Sequence, residues 1–322
     1  MKKLACLLMT GVLAVGMLSG CGSSLAETAD TTAQTEETAQ VANSETAEAA
    51  DAAEVSTVDF DTDNEISVVS REDGSGTRGA FIELTGVQEK DADGNKIDNT
   101  TEEAIIANST EIVLTTVAGD DYAIGYASLG SLNDSIKAVA VDGVEASVEN
   151  IKSGSYKVSR PFNIATKGDV SDLAQDFINY IMSSEGQAVI EEKGYIAADD
   201  AAEAFTSNGA TGKIVVAGSS SVTPVMEKLM EAYMAINTGA EIEIQESDST
   251  TGMTATIDGT CDIGMASREL SDSEVEAGLT NTVIAIDGIA VVVNNNNPVS
   301  DLSLDQIKGI FTGETTEWSE VE

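Results

Sequence analysis

Two segments of the chain share one order, in which a short apolar strand runs into a glycine- and serine-rich motif and an apolar-periodic helix follows. The strand over residues 66–70 enters the motif Ser70–Arg78, and the strand over 213–217 enters Gly218–Pro224. A third motif of this type spans Asp262–Arg268. Strands that alternate with helices in this way predict an α/β fold.

The three motifs have the chemistry of an anion-binding site. They contain three of the chain's four arginines. Backbone N–H groups at a helix N-terminus, hydroxyl groups and a guanidinium together bind anions. Since the chain has a formal net charge of -40, anion binding must depend on local geometry and not on the overall electrostatic field.

Composition excludes several classes of function. The 56 Asp and Glu outnumber the 16 Lys and Arg, which argues against nucleic acid and anionic membrane surfaces as partners. The chain has no histidine, which excludes Ser-His-Asp and Cys-His catalysis and histidine-ligated zinc. No serine precedes a lysine at the Ser-x-x-Lys spacing, so that nucleophile motif is absent too. We therefore expect no enzyme activity, no cofactor and no metal.

The N-terminus has the features of an export signal. Lys2 and Lys3 precede an apolar run over 4–18 that is too short for a membrane span, and the sequence Leu-Ser-Gly-Cys ends at Cys21. This ending resembles a bacterial lipobox, which implies that residues 1–20 are a lipoprotein signal peptide and that Cys21 is lipidated. The alternative is an ordinary signal peptide that is cleaved elsewhere. The lipobox predicts a protein anchored by lipid at the extracellular face of the cell membrane.

Residues 21–63 are predicted to be a disordered acidic tether. They are rich in Ala, Thr, Glu, Asp and Ser and have almost no bulky apolar side chains, so they cannot bury enough surface to offset their ordering entropy. A flexible segment of about 40 residues spans roughly 35 Å. If Cys6 is removed with the signal peptide and Cys21 is lipidated, Cys261 has no disulfide partner. We therefore expect Cys261 to be a buried thiol.

The remainder of the chain is predicted to fold as alternating strands and helices. An extended segment over 156–166 is interrupted by Pro161, and the polar, alanine-rich residues 199–212 form a linker. A capping box at 108–111 opens one helix. Further helices are predicted over about 77–84, 170–184, 185–193, 222–235 and 304–311, and strands over about 123–127, 138–141, 241–245, 263–266 and 283–294.

At these motifs the chain resembles the phosphate-binding proteins of bacterial Pst-type ABC transporters. The resemblance covers about residues 64–322 and implies a two-lobed, periplasmic-binding-protein-like (type II) α/β fold with a hinge. The segments that carry it are Arg71-x-Asp73-Gly74-Ser75-Gly76-Thr77, Gly218–Pro224, Asp248–Gly252, Asp262–Arg268, Ile284–Asn294 and Ile307–Trp318.

The order of these segments differs from the usual family order. The Gly-Ser-Ser-Ser motif normally comes first, and the Arg-x-Asp-Gly-Ser-Gly-Thr loop normally follows a segment like 317–321. We interpret the order here as a circular permutation, joined through a linker at 199–212; the alternative is a truncated tandem of two copies. The permutation predicts that the C-terminus lies beside the strand that starts at Ile66.

The permuted order also assigns the two lobes. One lobe is assembled from residues 64–160 plus 289–322 and carries the Arg-x-Asp-Gly-Ser-Gly-Thr loop. The other, residues 161–288, is contiguous and carries the Gly-Ser-Ser-Ser motif. The chain then crosses the hinge near 159–164 and near 287–292.

The resemblance also implies which residues bind phosphate. Arg71 supplies the cation, and Asp73 orients and partly neutralises it. Backbone N–H groups and hydroxyls supply the remaining donors, which suit a tetrahedral oxyanion. The implied phosphate ligands are Arg71, Ser75, Gly76, Thr77, Ser220, Ser221, Ser249 and Ser267.

Ser267 departs from the family pattern. The best-known members carry Asp at this position, where it accepts a hydrogen bond from a phosphate proton that sulfate lacks. A serine accepts more weakly and without charge, so selectivity for phosphate over sulfate is less secure. The neighbouring Arg268 either contacts the anion or pairs with an acidic side chain, and we favour the pair.

The function implied is a lipid-anchored extracellular solute receptor, expected to be a monomer, that binds inorganic phosphate and delivers it to an ABC transporter permease. One alternative is a binding protein for another oxyanion, such as sulfate or molybdate, and another is a phosphate sensor or adhesin. Residues 91–102 have some features of a calcium loop, but Lys96 stands at its sixth position, and a solvated surface loop is the better interpretation.

Overall fold

The computed structural model describes residues 60–321. The predicted signal peptide, Cys21 and the tether as far as residue 59 lie outside the described residues. The strands are β1 (Ser67–Arg71), β2 (Gln88–Lys90), β3 (Lys96–Asp98), β4 (Ile105–Ala107), β5 (Ala123–Ser128), β6 (Ile136–Val141), β7 (Ser159–Lys167), β8 (Ile196–Ala197), β9 (Gly212–Ser219), β10 (Ala240–Ser247), β11 (Ile263–Ala266), β12 (Leu279–Asn294) and β13 (Asp301–Leu302). The α-helices are α1 (Gly76–Leu84), α2 (Thr110–Ala118), α3 (Val148–Lys152), α4 (Asp172–Ile181), α5 (Ser184–Glu192), α6 (Thr223–Ile236), α7 (Ser249–Asp258), α8 (Asp272–Glu276) and α9 (Leu304–Thr312).

Eleven of these strands form one mixed sheet, with the main order β10-β9-β11-β7-β12-β5-β1-β4. The long strand β12 stands between β7 and β5 and pairs with strands on both sides. Its residues 279–288 pair antiparallel with β7, and its residues 289–294 pair antiparallel with β5 and β6. Strands β7 and β12 therefore link two groups of strands, each of which is parallel at its centre.

The buried apolar side chains form two main cores. The first core draws on residues 68–158 and 289–318, together with Ile196, and includes Phe81, Tyr126 and Phe311. The second core draws on residues 162–285 and includes Phe162, Phe177 and Tyr233. Because protein cores are densely packed, the large buried side chains of both cores hold the strands in fixed positions. The loops and helix starts at the strand ends are fixed with them.

Serine side chains begin several of the helices. Ser75, Ser171 and Ser183 each accept a hydrogen bond from a backbone N–H of the first turn. Helix α2 begins where predicted, but its cap is Ser109, whose partner is the N–H of Ile112. A reciprocal capping box is not possible here because isoleucine stands at the third helical position.

Strand β7 continues through Pro161, where an interruption was expected. Pro161 pairs with Ile286 of β12 on one side. On the other side, β11 pairs only with residues 163–165. The missing N–H of proline therefore leaves no bond of the β7–β11 ladder unmade.

The two ends of the described chain lie side by side, as predicted. The N–H of Ile66 donates to the carbonyl of Thr316 at 2.7 Å, and the N–H of Ser319 donates to the carbonyl of Thr62 at 2.7 Å. Phe60 packs against the ring of Trp318, at 6.2 Å between ring centroids. Residues 60–63, which were assigned to the tether, thus belong to the folded part.

Residues 199–211 have no regular secondary structure but pack against the second core. Phe205 contacts Tyr180 at 5.2 Å between ring centroids. The buried carboxylate of Asp176 accepts hydrogen bonds from the Ser207 hydroxyl at 2.8 Å and from the Asn208 N–H at 2.9 Å. This segment is therefore an ordered connection between β8 and β9.

Two further points concern the thiol of Cys261 and membrane-spanning helices. Cys261 is a free, buried thiol there, and burial raises the pKa of this thiol. No helix in this part of the chain is long and apolar enough to cross a membrane.

Candidate functional site

The Arg-x-Asp-Gly-Ser-Gly-Thr loop lies between the end of β1 and the start of α1. Ser75 caps α1 by accepting from the Arg78 N–H, so its hydroxyl faces its own helix. Gly76 is required by a close approach, because a Cβ there would lie 2.5 Å from the Ser249 hydroxyl and 2.9 Å from that of Ser267. The loop of the first core therefore contacts serines of the second core directly.

Arg71 lies in this contact with only 2% of its surface exposed. Its guanidinium donates to the two carboxylate oxygens of Glu72, Nε at 2.8 Å and Nη2 at 2.7 Å. Nη1 donates to Thr110 Oγ1 at 3.3 Å, and Nη2 also donates to Ser220 Oγ at 3.1 Å. The cation is thus directed at hydroxyls from both cores.

The prediction that Asp73 orients Arg71 is wrong in this structure. The Asp73 side chain is 99% exposed and lies 3.4 Å from Arg78 Nη1. Glu72 takes the expected role, because its longer side chain reaches the Nε–Nη2 edge and forms a bidentate pair there. Asp73 lies in the turn before α1 and points to solvent.

The backbone of Arg71 is held on both sides. Its N–H donates to the Tyr126 hydroxyl at 3.1 Å, and its carbonyl accepts from Arg78 Nη1 at 2.6 Å. The Tyr126 hydroxyl also lies 2.8 Å from Ser70 Oγ, and burial raises the pKa of this hydroxyl. Arg78 is held in turn by Asp98, 2.8 Å from Nε.

The second core supplies serines from three elements. Ser219 ends β9, Ser220 and Ser221 lie between β9 and α6, and all three are buried. Ser249 is the first residue of α7, and Ser267 follows β11; their exposed fractions are 0% and 1%. Strand ends and helix N-termini thus meet at one point.

The hydroxyls of these residues form a network with those of the first core, which we call the hydroxyl cluster. Ser221 Oγ lies 2.9 Å from both Thr77 Oγ1 and Thr110 Oγ1. Ser267 Oγ lies 2.9 Å from Ser219 Oγ and 3.4 Å from Ser249 Oγ. The members of the hydroxyl cluster are Thr77, Thr110, Ser219, Ser220, Ser221, Ser249 and Ser267.

The structure therefore brings together seven of the eight predicted ligands, and it places the hydroxyl of the eighth, Ser75, toward α1. Two cluster members, Thr110 and Ser219, were not predicted. A signal for Thr110 was available, because the sequence predicts a helix start there and helix starts bind anions. Ser219 precedes two predicted ligands, and its position at a strand end was the available signal.

Arg268 pairs with an acidic side chain, as favoured. Nη1 and Nη2 donate to the two Glu274 carboxylate oxygens, each at 2.8 Å. Although burial opposes ionisation, bonds from Arg268 and Ser271 hold the pKa of Glu274 below its usual value. Nη2 also donates to Thr250 Oγ1 at 3.2 Å.

A buried ion pair lies where β7 and β12 join the two cores. Arg160 and Asp287 stand opposite each other in the ladder, and Nη2 lies 2.9 Å from the carboxylate. The other carboxylate oxygen of Asp287 accepts from Ser128 Oγ at 3.0 Å. Burial raises the pKa of Asp287 to about 6, even though Arg160 opposes the shift.

A cavity of about 400 Å³ lies beside the hydroxyl cluster and not within it. It is bounded by α1 on one side and by Arg160, Pro161 and residues 268–271 on the other. Within the cluster, the hydroxyls lie at hydrogen-bond distance from one another. Among residues 60–321, no group of three acidic or cysteine side chains is placed to hold a metal ion.

Comparisons with known proteins agree with this fold. Residues 28–185 and 203–322 match a family described as the PBP superfamily domain. The chain is 50% identical over 321 residues to "Phosphate-binding protein PstS 2" of Streptococcus agalactiae serotype V, covering 99% of this chain and 98% of that one. It is 48% identical over 257 residues to the protein of the same name from Streptococcus pneumoniae serotype 4, covering 80% and 88%.

A solved structure of a phosphate-binding protein is also similar to this chain. The crystal structure of a phosphate ABC transporter phosphate-binding protein from Streptococcus pneumoniae TIGR4 is 48% identical in sequence, with a TM-score of 0.65. The match covers 80% of this chain and all of that chain. Since the Streptococcus agalactiae relative aligns over almost its full length, the segment order of this chain is shared with that protein.

Proposed function

The chain belongs to the PBP superfamily and, within it, to the bacterial phosphate-binding proteins, and from this premise we propose that it binds inorganic phosphate at the hydroxyl cluster. It is a binding protein and not an enzyme, in keeping with a sequence that has no histidine to serve as a general base. The observation that carries the proposal is the convergence of Arg71 and buried hydroxyls from both cores.

The donor set suits a tetrahedral oxyanion. The hydroxyls offer rotatable donors from several directions, while the guanidinium of Arg71, which contacts the cluster, supplies a charge-assisted bond. Glu72 offsets part of the Arg71 charge, so most of the stabilisation of a bound anion comes from neutral dipoles. The proposed ligands are Arg71, Ser75, Gly76, Thr77, Ser220, Ser221, Ser249 and Ser267, and Thr110 joins them.

The two cores correspond to two lobes that close on the anion. We assign residues 64–160 and 289–322 to the first lobe and residues 161–288 to the second. Strands β7 and β12 are the hinge, because they are the long strands that pair across the division between the cores. Hinge closure around a ligand is an established mode of domain motion.

The proposed role is delivery of phosphate to the permease of an ABC transporter at the extracellular face of the membrane. Cys21 is the proposed lipid attachment site, the segment before Phe60 is the tether, and the receptor acts as a monomer. A lipid anchor needs no membrane-spanning helix.

Calorimetric titration with phosphate, arsenate, sulfate and molybdate near neutral pH tests the ligand. We expect one phosphate per chain and the highest affinity for phosphate. Tighter binding of sulfate or molybdate would instead establish a receptor for that oxyanion. Phosphate uptake by cells that lack this chain tests the transport role, and unchanged uptake would favour a sensor or an adhesin.

A further inference from the structure

The loop that carries Arg71 makes a second contact with the other lobe, outside the hydroxyl cluster. The carbonyl of Gly74 accepts two hydrogen bonds from Thr250, from its N–H at 3.2 Å and from its Oγ1 at 3.1 Å. Gly74 lies in the turn before α1, and Thr250 lies in the first turn of α7. These bonds therefore join the two proposed lobes.

Asp248 fills the space beside Gly74 and is held there. Its carboxylate caps α7, with Oδ1 accepting from the Thr251 N–H at 2.8 Å and Oδ2 from the Thr251 hydroxyl at 2.5 Å. A Cβ on Gly74 would lie 2.6 Å from Asp248 Cγ and closer still to Oδ1. The carboxylate cannot move aside without giving up the helix cap.

The hydroxyl of Thr250 is oriented by a chain of contacts. Glu274 holds Arg268 through two bonds, and Arg268 Nη2 donates to Thr250 Oγ1. Since a hydroxyl has one proton and two acceptor sites, Thr250 Oγ1 accepts from Arg268 and donates to Gly74. The preceding residue in the same turn is Ser249, a member of the hydroxyl cluster.

We propose that Gly74, Asp248 and Thr250 form a closure latch, whose two hydrogen bonds and close packing hold the lobes together around the bound anion. This inference rests on the proposed function. Thr250 of the latch is adjacent to Ser249 in the first turn of α7. Two neighbouring residues of α7 therefore contact, respectively, the opposite lobe and the anion. The latch residues are positioning residues: they slow the opening of the loaded protein and do not themselves contact the anion.

The test is the substitution Gly74→Ala, with Gly79→Ala as its matched control. Gly79 lies in α1 in the same part of the chain, and apart from its own helix backbone and its chain neighbours, no atom lies within 4 Å of a Cβ placed there. Dissociation of radiolabelled phosphate after dilution into unlabelled phosphate measures opening, and calorimetry measures affinity. We expect Gly74→Ala to weaken binding about tenfold, mostly through faster dissociation, and Gly79→Ala to behave like wild type.

A second substitution separates the latch from a simple folding defect. Asp248→Ser keeps a capping oxygen on a shorter side chain, so the double variant Gly74→Ala, Asp248→Ser should recover much of the lost affinity. Thermal unfolding of the anion-free Gly74→Ala protein should stay close to wild type. Wild-type affinity in Gly74→Ala, or a loss that Asp248→Ser does not reduce, would overturn the latch. Absence of phosphate binding by the wild type would overturn the proposed function itself.

Discussion

At the scale of single residues, Arg71 combines deep burial with a charge that the protein only partly balances. Its bidentate partner Glu72 is about one-fifth exposed, and its remaining donor contacts are neutral hydroxyls. A guanidinium in this setting gains more from an anion than a surface cation does, because little water competes for its donors.

Replacing Arg71 with Ala should weaken phosphate binding by about 2–5 kcal/mol, since the anion loses its charge-assisted partner in a largely desolvated site. Calorimetry gives the affinity, and a thermal melt shows whether the variant is folded. Lys90→Ala is the control, because it removes an exposed positive charge from the same lobe. If Arg71→Ala bound phosphate like the wild type, the anion site would lie elsewhere.

We infer that Ser267 influences how strongly the proposed site selects among anions. Its hydroxyl lies among the hydroxyls of Ser219, Ser249 and Thr77. A hydroxyl rotates to donate or accept, so it does not repel a fully deprotonated anion as a carboxylate does. We expect phosphate to bind best, but with a smaller margin over sulfate than in a relative that carries Asp here.

Ser267→Asp should therefore widen the margin of phosphate over sulfate, because the carboxylate accepts a proton from hydrogen phosphate and repels sulfate. Competitive titration near neutral pH measures the ratio of the two affinities. The exposed substitution Ser273→Asp adds the same charge at a distance and controls for the overall field. An unchanged ratio in Ser267→Asp would mean that a group other than residue 267 discriminates between the anions.

The motifs quoted from the sequence meet in the structure, because they stand at strand ends and helix starts that converge on the hydroxyl cluster. The sequence-based prediction named Asp73 as the partner of Arg71, whereas the partner is Glu72. The two adjacent carboxylates differ only in side-chain length and in the direction that the backbone turn gives each side chain. That choice depends on the backbone path before α1, which the motif does not encode. Thr110 was not predicted, although the helix start there was a signal, because no motif connects it to Ser220 and Ser221, which it contacts in the structure.

At the scale of elements, the paired strands β7 and β12 carry the Arg160–Asp287 pair at the proposed hinge. A buried ion pair offers little net stability, because desolvation offsets most of the attraction. The pair does constrain the geometry of the two strands, because Arg160 and Asp287 stand opposite each other in the ladder. Ser128 also donates a hydrogen bond to the Asp287 carboxylate and so connects it to the first core. We infer that the pair fixes the register at which the strands cross.

The raised pKa of Asp287 predicts a pH dependence of stability. The folded state takes up this proton near pH 6, and the unfolded chain takes it up near pH 4. The ionised carboxylate therefore costs stability, and this group's contribution falls as the pH rises from about 4 to 6, by about 3 kcal/mol in all. Above pH 6 the contribution is constant.

Denaturant unfolding of the wild type and of Asp287→Asn from pH 4 to pH 7 measures this effect. The free energy of unfolding of the wild type, relative to the variant, should decrease across that interval and then level off. Asp272→Asn, at an exposed position, should track the wild type. A difference between wild type and Asp287→Asn that did not change with pH would show that Asp287 titrates normally.

The element that sequence reasoning missed at the site is α7. Its sequence, Ser-Thr-Thr-Gly-Met-Thr-Ala-Thr-Ile-Asp, is rich in residues of low helix propensity. It forms because Asp248 caps it and because Met253 packs into a small apolar cluster with Ala165 and Leu279. Tertiary packing here overrides local propensity, whereas α6 and α9 carry both apolar periodicity and helix start signals and were predicted correctly.

At the scale of the whole molecule, the adjacency of residues 60–66 and 316–321 bears on the order of the segments. Residues 60–66 run antiparallel to residues 316–321, with Glu65 opposite Glu317, so the chain would need only a short turn to pass from Val321 to Phe60. We propose that the order is a circular permutation of the usual family order, in which β8 and β9 were joined through the connection at 199–212. The alternative of a truncated tandem would not require the two ends to be adjacent.

A rearranged chain tests this proposal directly. Joining Val321 to Phe60 through a turn of about four glycine and serine residues, and opening the chain between the exposed Asp200 and Ala201, restores the usual order. The cut breaks no strand or helix, and the join spans ends that already lie side by side. We therefore expect cooperative unfolding and phosphate affinity within about tenfold of the original chain. The same join with the opening placed inside β9, next to the buried Val216, should not fold, because it divides a strand paired on both sides. If the rearranged chain opened at Asp200 failed as the β9 control fails, the order of the segments would matter to folding in its own right, and permutation would not explain this chain.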